Sequence, residues 1–168
     1  MEIQYDDEAI ASLTAALAAE LKAHGRRLAT AESCTGGWIA KVCTDLAGSS
    51  DWFERGFVSY SNASKHELLG VRPADIHRFG AVSEEVAAAM ALGAQDRSGV
   101  DYALSVSGVA GPGGGSPEKP VGTVCFGWAL PHEDTETETL LFVGDRDDIR
   151  RQTVVHSIRG LLSRIARR

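Results

Sequence analysis

A serine hydroxyl lies at a predicted turn in the segment Ala31-Glu32-Ser33-Cys34-Thr35-Gly36-Gly37. We expect a strand to end at Glu32 and a helix to begin near Thr35, because apolar residues follow at helical spacing as far as Leu46. The first turn of a helix offers free N–H groups that suit a phosphate or the oxyanion of an acyl-transfer intermediate. Ser33 beside such amides is therefore a candidate nucleophile.

The residues that follow this serine are candidate substrate-binding residues. Gly36 and Gly37 each cost a helix about 1 kcal/mol relative to alanine, and glycine lets a ligand approach the backbone closely. We therefore predict that Thr35, Gly36 and Gly37 contact the substrate. The alternative is that Ser33 and Thr35 only cap the helix and that the glycines allow tight helix–sheet packing.

A second polar turn follows the apolar run Phe57-Val58-Ser59-Tyr60, which we interpret as a strand. Ser61-Asn62 is predicted to open a helix that carries Lys65 and ends at Gly70. A lysine beside a serine and a tyrosine fits a serine hydrolase in which neutral lysine or the phenolate accepts the serine proton. Taken singly, Tyr60 is more typical of a strand residue with a satisfied hydroxyl, and Lys65 is more typical of a solvated helix lysine.

The spacing of this tyrosine and lysine argues against a dehydrogenase. Tyr60 and Lys65 are five residues apart, whereas the tyrosine–lysine pair of short-chain dehydrogenases is four apart on a helix. The pattern therefore gives only weak support to an oxidoreductase.

A third turn, from Gly108 to Pro117, is dominated by glycine and proline and follows a strand predicted over Asp101–Val106. Its amides can wrap a phosphate or a ribose; the candidate binding residues are Gly108, Gly111, Gly113, Gly114 and Gly115. It is not a Walker loop, and Pro112 and the missing helix break a dinucleotide fingerprint. The alternative is a flexible surface loop. Because ligands of open α/β sheets bind at the carboxyl ends of strands, we expect all three turns to converge on one cleft.

Further elements alternate along the chain. A helix is predicted over residues 7–23, another is capped by Ser83, and a last one starts at Asp145. The predicted apolar positions of these three helices are Ile10, Leu13, Leu17 and Leu21, then Val86, Met90 and Ala94, then Ile149, Ile158, Leu161, Leu162 and Ile165. Strands over residues 121–129 and 136–143 form a predicted antiparallel hairpin with Thr137 and Thr139 exposed. The pattern indicates one three-layer α/β/α domain over residues 1–168, with a mixed sheet and a C-terminal antiparallel hairpin.

Composition restricts the classes of function. A net charge of −6 disfavours nucleic acid as a partner. We find no basic and apolar signal segment and no run approaching the roughly 20 apolar residues that span a bilayer, so we expect a cytoplasmic protein without membrane contact. The cysteines and histidines show no metal-ligand spacing, which predicts reduced thiols and no bound metal.

Four segments taken together resemble one family. They are Ala31–Gly37, Gly48-Ser49-Ser50 through Val58–Asn62 to Lys65, Gly80–Ser83, and Gly108–Pro112 through Lys119–Val124. In this order they resemble the CinA C-terminal domain family, the nicotinamide-mononucleotide deamidases. The resemblance covers nearly the whole chain and is far more specific than any single motif.

The resemblance implies an activity and a catalytic group. The family hydrolyses the carboxamide of nicotinamide mononucleotide to nicotinic acid mononucleotide and ammonia. By motif, its catalytic serine, tyrosine and lysine correspond to Ser33, Tyr60 and Lys65. It also implies a three-layer α/β fold, no metal or other cofactor, and a homo-oligomer. The nucleotide-processing domain that often precedes this domain is absent, so the chain resembles the stand-alone form.

We therefore hypothesise an amidohydrolase of nicotinamide mononucleotide that works in pyridine-nucleotide recycling, in which Ser33 attacks and Lys65 and Tyr60 move the proton. We expect Glu32 to point away from Lys65, and Asn62 and Arg146 to contribute to substrate binding, Arg146 by helping to bind the phosphate. Two alternatives stay open: a non-catalytic nucleotide-binding or regulatory module that uses the same cleft, and an amidase for a different small amide.

Overall fold

The computed structural model describes residues 3–168. The strands are β1 (Leu28–Glu32), β2 (Phe53–Val58), β3 (Tyr102–Gly108), β4 (Thr123–Ala129) and β5 (Glu136–Leu141). The helices are α1 (Asp7–Ala23), α2 (Trp38–Thr44), α3 (Asn62–Leu69), α4 (Pro73–Phe79), α5 (Glu84–Ser98) and α6 (Arg146–Ile165), with a short 3₁₀ helix at Ser49–Asp51. The sheet order is β2-β1-β3-β4-β5, with β2, β1 and β3 parallel and β4 and β5 antiparallel.

Alternating side chains of the central strands form two cores, one on each face of the sheet. Leu28 and Leu104 pack with apolar residues of α1, α2 and α6. Ala29 and Ala103 face the other way and pack with α3, α4 and α5. Because successive side chains of a strand point to opposite faces, both faces of the sheet are apolar and helices pack on each of them. The prediction of a three-layer α/β/α domain with a mixed sheet and a closing hairpin is confirmed.

Small residues bring α5 close to the sheet and α3 close to α5. The Ser105 hydroxyl donates to the carbonyl of Ala87 in α5 at 2.6 Å. A Cβ at Gly93 of α5 would overlap the backbone carbonyl of Leu69 in α3. This close approach fixes α3, the helix that carries Lys65.

The predicted helix starts are confirmed by the capping contacts. Side chains of Asp6, Ser61, Ser83 and Asp145 accept from backbone amides in the first turns of α1, α3, α5 and α6. Asp145 and Asp148 form a reciprocal capping box. The predicted stop of α3 at Gly70 also holds, since Gly70 is its left-handed C-cap.

Several predicted boundaries were wrong: β3 extends to Gly108, β4 begins at Thr123 and β5 ends at Leu141. Two further differences affect the turns that follow Ser33 and Tyr60. The second helix begins at Trp38, not near Thr35, because Gly36 and Gly37 have φ of 62° and 101° and form a left-handed turn before it. The second strand runs over Phe53–Val58, so Tyr60 lies in the loop after it.

Smaller differences concern one helix and several side chains. Helix α4 was not predicted. Leu13, Leu162 and Ile165 are half-buried, as is Thr137, which was expected to be exposed.

The described part of the chain, residues 3–168, contains no helix with the length and apolar composition needed to cross a membrane.

Candidate active site

Ser33 is held at the carboxyl end of β1 by its own backbone. Its amide donates to the carbonyl of Val106 in the neighbouring strand β3 at 3.1 Å, and its carbonyl accepts from the Gly36 amide at 3.1 Å. The side chain is buried, with 7% of its surface exposed. Strand β1 therefore places the Ser33 hydroxyl at the end of the sheet, and the following turn fixes the backbone of Ser33.

Glu32, the preceding residue, caps the helix behind this turn. Its buried carboxylate accepts from the Thr35 hydroxyl at 2.6 Å and from the amides of Ile39 and Ala40 at 2.8 and 3.1 Å. Burial raises the pKa of Glu32, and these hydrogen bonds oppose that rise. The expectation that the first-turn amides of α2 are free for a phosphate or an oxyanion was wrong, because Glu32 occupies two of them. As expected, its carboxylate is directed toward α2 rather than toward Lys65.

Lys65 brings its amine to the serine. Lys65 Nζ lies 3.1 Å from Ser33 Oγ, 3.2 Å from the Ser59 carbonyl and 3.1 Å from the Tyr60 carbonyl. The side chain is only 2% exposed, and burial lowers the pKa of Lys65. A neutral amine has two N–H groups for the two carbonyls, and its lone pair then faces the Ser33 hydroxyl. This geometry suits proton transfer from serine to lysine.

The Tyr60 side chain is oriented differently. Tyr60 is 64% exposed, and its hydroxyl oxygen lies 3.4 Å from a terminal nitrogen of Arg146. In the described part of the chain Arg146 is its hydrogen-bond partner, whereas the Tyr60 carbonyl contacts Lys65. The structure therefore brings Ser33 and Lys65 together and leaves the tyrosine hydroxyl on the rim.

A cavity of about 170 Å³ opens above the serine. Its lining residues are Ser33, Cys34, Tyr60, Asn62, Lys65, Ala81, Val82, Ser107, Gly108, Ala110 and Arg146. The predicted residues Asn62, Gly108 and Arg146 thus lie around the serine. All three predicted turns contribute to the cavity.

Other predicted binding residues lie away from the cavity wall. Thr35 is turned toward Glu32, and Gly36 and Gly37 form the turn behind it and do not line the cavity. Gly113, Gly114 and Gly115 are exposed on the surface and also lie outside the lining. Gly111 acts through its carbonyl, which accepts from Arg146 at 2.8 Å.

Sequence reasoning missed four lining residues: Ala81, Val82, Ser107 and Ala110. Ser107 lies near the end of β3, and its hydroxyl donates to the Ala81 carbonyl at 2.7 Å. The signal for Ser107 was its position beside Gly108 at the end of a strand. Ala81 and Val82 precede the Ser83 cap, and the signal for them was that they lie in the Gly80–Ser83 segment of the family resemblance.

The neighbouring thiol is poorly suited to act as the nucleophile. Burial raises the pKa of Cys34 to about 12, so the thiolate is scarce at neutral pH. Ser33 therefore has no activated competitor at this position.

Within residues 3–168, no three His, Cys, Asp or Glu residues cluster in a way that could hold a metal ion. Independence from metal stays a prediction.

Comparisons with known proteins agree on one family. The family model described as the CinA C-terminal domain matches residues 10–165. The nicotinamide-nucleotide amidohydrolase PncC of Escherichia coli K12 is 51% identical over 92% of this chain and 94% of that protein. The protein of the same name from Pseudomonas putida is 50% identical over 91% of this chain and 95% of that one.

Solved structures of this superfamily share the fold. A competence-damaged protein (CinA) superfamily protein from Escherichia coli superposes with a TM-score of 0.90 at 36% identity, covering 95% of this chain and 93% of that one. The competence/damage inducible protein CihA of Agrobacterium tumefaciens gives 0.91 at 38% identity, covering 97% and 98%.

Proposed function

The chain belongs to the CinA C-terminal domain family, and from this premise we propose that it is a nicotinamide-nucleotide amidohydrolase. It converts nicotinamide mononucleotide and water to nicotinic acid mononucleotide and ammonia. The names of its relatives support this activity, since proteins 50–51% identical over nine-tenths of the chain are nicotinamide-nucleotide amidohydrolases.

The observation that carries the mechanism is the 3.1 Å contact between Lys65 Nζ and Ser33 Oγ. Ser33 attacks the carboxamide carbon while Lys65 accepts its proton. Lys65 then gives a proton to the departing nitrogen, the C–N bond breaks, and ammonia leaves an ester on Ser33. Water attacks this ester with Lys65 again as base, which releases the acid and restores the serine.

Backbone amides stabilise the oxyanion in this mechanism. The Ile39 and Ala40 amides already donate to the Glu32 carboxylate, so they do not take this role. The amides of Cys34 and Ala110, two cavity-lining residues, have no backbone acceptor within residues 3–168. The amide directly after a nucleophile is a common oxyanion donor, so we assign this role to Cys34, with Ala110 as the second donor.

Tyr60 supports the reaction from the rim. Its carbonyl orients the Lys65 amine, and its hydroxyl lies beside Arg146, which we assign to the phosphate. Tyr60→Phe should therefore reduce turnover less than loss of the lysine does.

A non-catalytic binding module does not explain Lys65. A buried amine costs stability unless its hydrogen bonds are satisfied, and such a module needs no amine against a serine hydroxyl. An amidase for a different small amide is the other alternative, and the assay below tests it by comparing substrates.

We also propose that the protein acts in the cytoplasm, in pyridine-nucleotide recycling, as a homo-oligomer that does not bind nucleic acid. The exposed apolar side chains of Leu141, at the end of edge strand β5, and of Val143, two residues later, support self-association. The net charge of −6 disfavours nucleic acid.

Ammonia release from nicotinamide mononucleotide in the presence of a chelator tests the activity. We expect turnover without added metal, and little with nicotinamide or unrelated small amides. Ser33→Ala should abolish turnover, whereas Cys34→Ala, which keeps the backbone amide, should retain most of it. Turnover lost in chelator and restored by zinc or magnesium, or a dominant effect of the cysteine substitution, would contradict the serine mechanism.

A further inference from the structure

Arg150 of α6 reaches the turn that carries the nucleophile. Its Nε donates to the Cys34 carbonyl at 3.0 Å and a terminal nitrogen donates to the Thr35 carbonyl at 3.1 Å. The guanidinium lies 5.6 Å from the centre of the Trp38 ring at the start of α2. One side chain distant in sequence therefore holds two successive carbonyls directly after Ser33.

These contacts are transmitted to the Cys34 amide through planar peptide units. The C=O and N–H of one trans peptide point in opposite directions. Holding the Thr35 carbonyl therefore fixes the Gly36 N–H, which donates to the Ser33 carbonyl. The Ser33 carbonyl shares its peptide unit with the Cys34 N–H. Arg150 thus sets the direction of the amide that follows the nucleophile.

The charge of Arg150 is directed at this turn. Within residues 3–168 it has no carboxylate within ion-pair distance, whereas its neighbour Arg151 pairs with Asp7. A cation bonded to a carbonyl polarises the attached peptide and strengthens its N–H as a donor. Arg150 therefore both orients and polarises the turn, while Glu32 holds the helix behind it.

We propose that Arg150 is a positioning residue for the hydrolysis: it holds the turn after Ser33 so that the Cys34 amide faces the developing oxyanion. This inference rests on the proposed function, and it assigns the residue an effect on the transition state rather than on substrate binding. A donor held in advance toward the oxyanion stabilises the transition state without reorganisation during the reaction.

Arg150→Met and Arg151→Met form a matched pair. Each removes one positive charge and one guanidinium near Trp38, at 5.6 Å and 5.0 Å from the ring centre respectively. Arg150→Met should lower kcat about 10²-fold, the usual effect of losing one oxyanion donor, with little change in KM. Arg151→Met should keep near-normal kcat. Arg150→Lys, which retains the charge but not the forked donor, should be intermediate.

A second measurement separates positioning from folding and from the identity of the substrate. A small alkyl fluorophosphonate phosphonylates an activated serine: the Ser33–P bond forms, fluoride leaves and the serine proton is lost. Its reaction develops negative charge on the phosphoryl oxygen, so Arg150→Met should slow labelling of Ser33 while binding of nicotinic acid mononucleotide stays unchanged. Arg150→Lys serves for the same measurements if the methionine variant does not fold.

The outcomes are distinct. Unchanged kcat and labelling in the Arg150 variants, or equal losses in the Arg151 variant, would overturn the positioning role. An increase in KM alone would also overturn it, because that would indicate substrate binding. If the wild type released no ammonia from nicotinamide mononucleotide, the proposed function would fail, and the labelling rates would still decide the role of Arg150.

Discussion

Lys65 is buried without a carboxylate partner in the described part of the chain, and this environment disfavours its charged form. Desolvation disfavours the ammonium form, which lowers the pKa of Lys65. A free lysine has a pKa of about 10.4 and would be almost fully protonated at neutral pH. The carbonyls of Ser59 and Tyr60 take the two N–H groups of the neutral amine. The loop between β2 and α3 therefore supplies both carbonyl acceptors of the amine that we propose as the base.

Replacing this lysine with arginine tests whether it is the base. Arginine keeps the positive charge but does not deprotonate in a protein, so Lys65→Arg should lower kcat by about 10²- to 10⁴-fold. Wild-type activity should fall as pH drops through the lowered pKa of Lys65, because the amine becomes protonated. Rates measured from pH 6 to 10 should show this acid limb in the wild type.

Lys41→Arg is the matched control for this substitution, since Lys41 is exposed and paired with Asp45. It should keep wild-type rates and the same acid limb. A Lys65→Arg enzyme with near-normal kcat would show that the lysine is only an electrostatic partner.

The sequence predicted the proximity of Ser33 and Lys65 better than it predicted which residues line the cavity. Ser33 and Lys65 follow predicted strand ends, so topology alone brings them to one edge. A glycine pattern does not distinguish a loop that binds a ligand from a left-handed turn, and most of the predicted glycines lie outside the cavity lining. Their contact with substrate stays a prediction. Gly36 and Gly37 reverse the chain before α2, and the Arg150 contacts to the turn join parts of the chain that no local pattern connects.

At the scale of elements, the positions of helices were predicted correctly where the local sequence carries a capping residue and the following helix has a buried apolar face. The caps of α1, α3, α5 and α6 mark helix starts in the sequence as they do in the structure. The position of β2 was predicted wrongly because β2 is an edge strand, paired on one side only. Its residues are all half-buried or exposed, so the sequence shows no clear alternation of apolar and polar side chains there. Helix α4 has seven residues, of which only Ile76 is buried, and gave no helical apolar stripe.

The close contact between α5 and α3 gives a prediction for Gly93. Alanine in a helix interior normally stabilises by about 1 kcal/mol relative to glycine. At Gly93 the added Cβ would overlap the Leu69 carbonyl, so Gly93→Ala should instead lower the free energy of unfolding by about 1–3 kcal/mol. Urea denaturation measures this change. Asp96→Ala, at an exposed position in the same helix, is the control and should not destabilise; a more stable Gly93→Ala protein would contradict the close helix packing.

At the scale of the whole molecule, the charge distribution works against the substrate. The protein carries a net charge of −6, and a nucleotide monophosphate is also an anion. At the start of α6, the Asp145–Asp148 capping box engages the amides of Asp145 and Asp148, and the exposed glycines 113–115 lie outside the cavity. We therefore propose that Arg146, which lines the cavity, offsets this repulsion at the site.

Binding of the phosphate by Arg146 should separate two substrates that differ only in that group. The guanidinium is positioned by the Gly111 carbonyl at 2.8 Å, and charge-assisted hydrogen bonds contribute about 1.5–3 kcal/mol. Arg146→Gln should therefore lower kcat/KM for nicotinamide mononucleotide about 10- to 100-fold, while kcat/KM for nicotinamide riboside, already low in the wild type, changes little. Arg72→Gln removes the same charge from an exposed arginine that pairs with Asp75 away from the cavity, so it controls for net charge and should leave both substrates unaffected. Equal kcat/KM for riboside and mononucleotide in the wild type would show that the phosphate is not recognised. Equal losses of kcat/KM for both substrates in Arg146→Gln would show that Arg146 maintains the shape of the cavity and does not bind the phosphate.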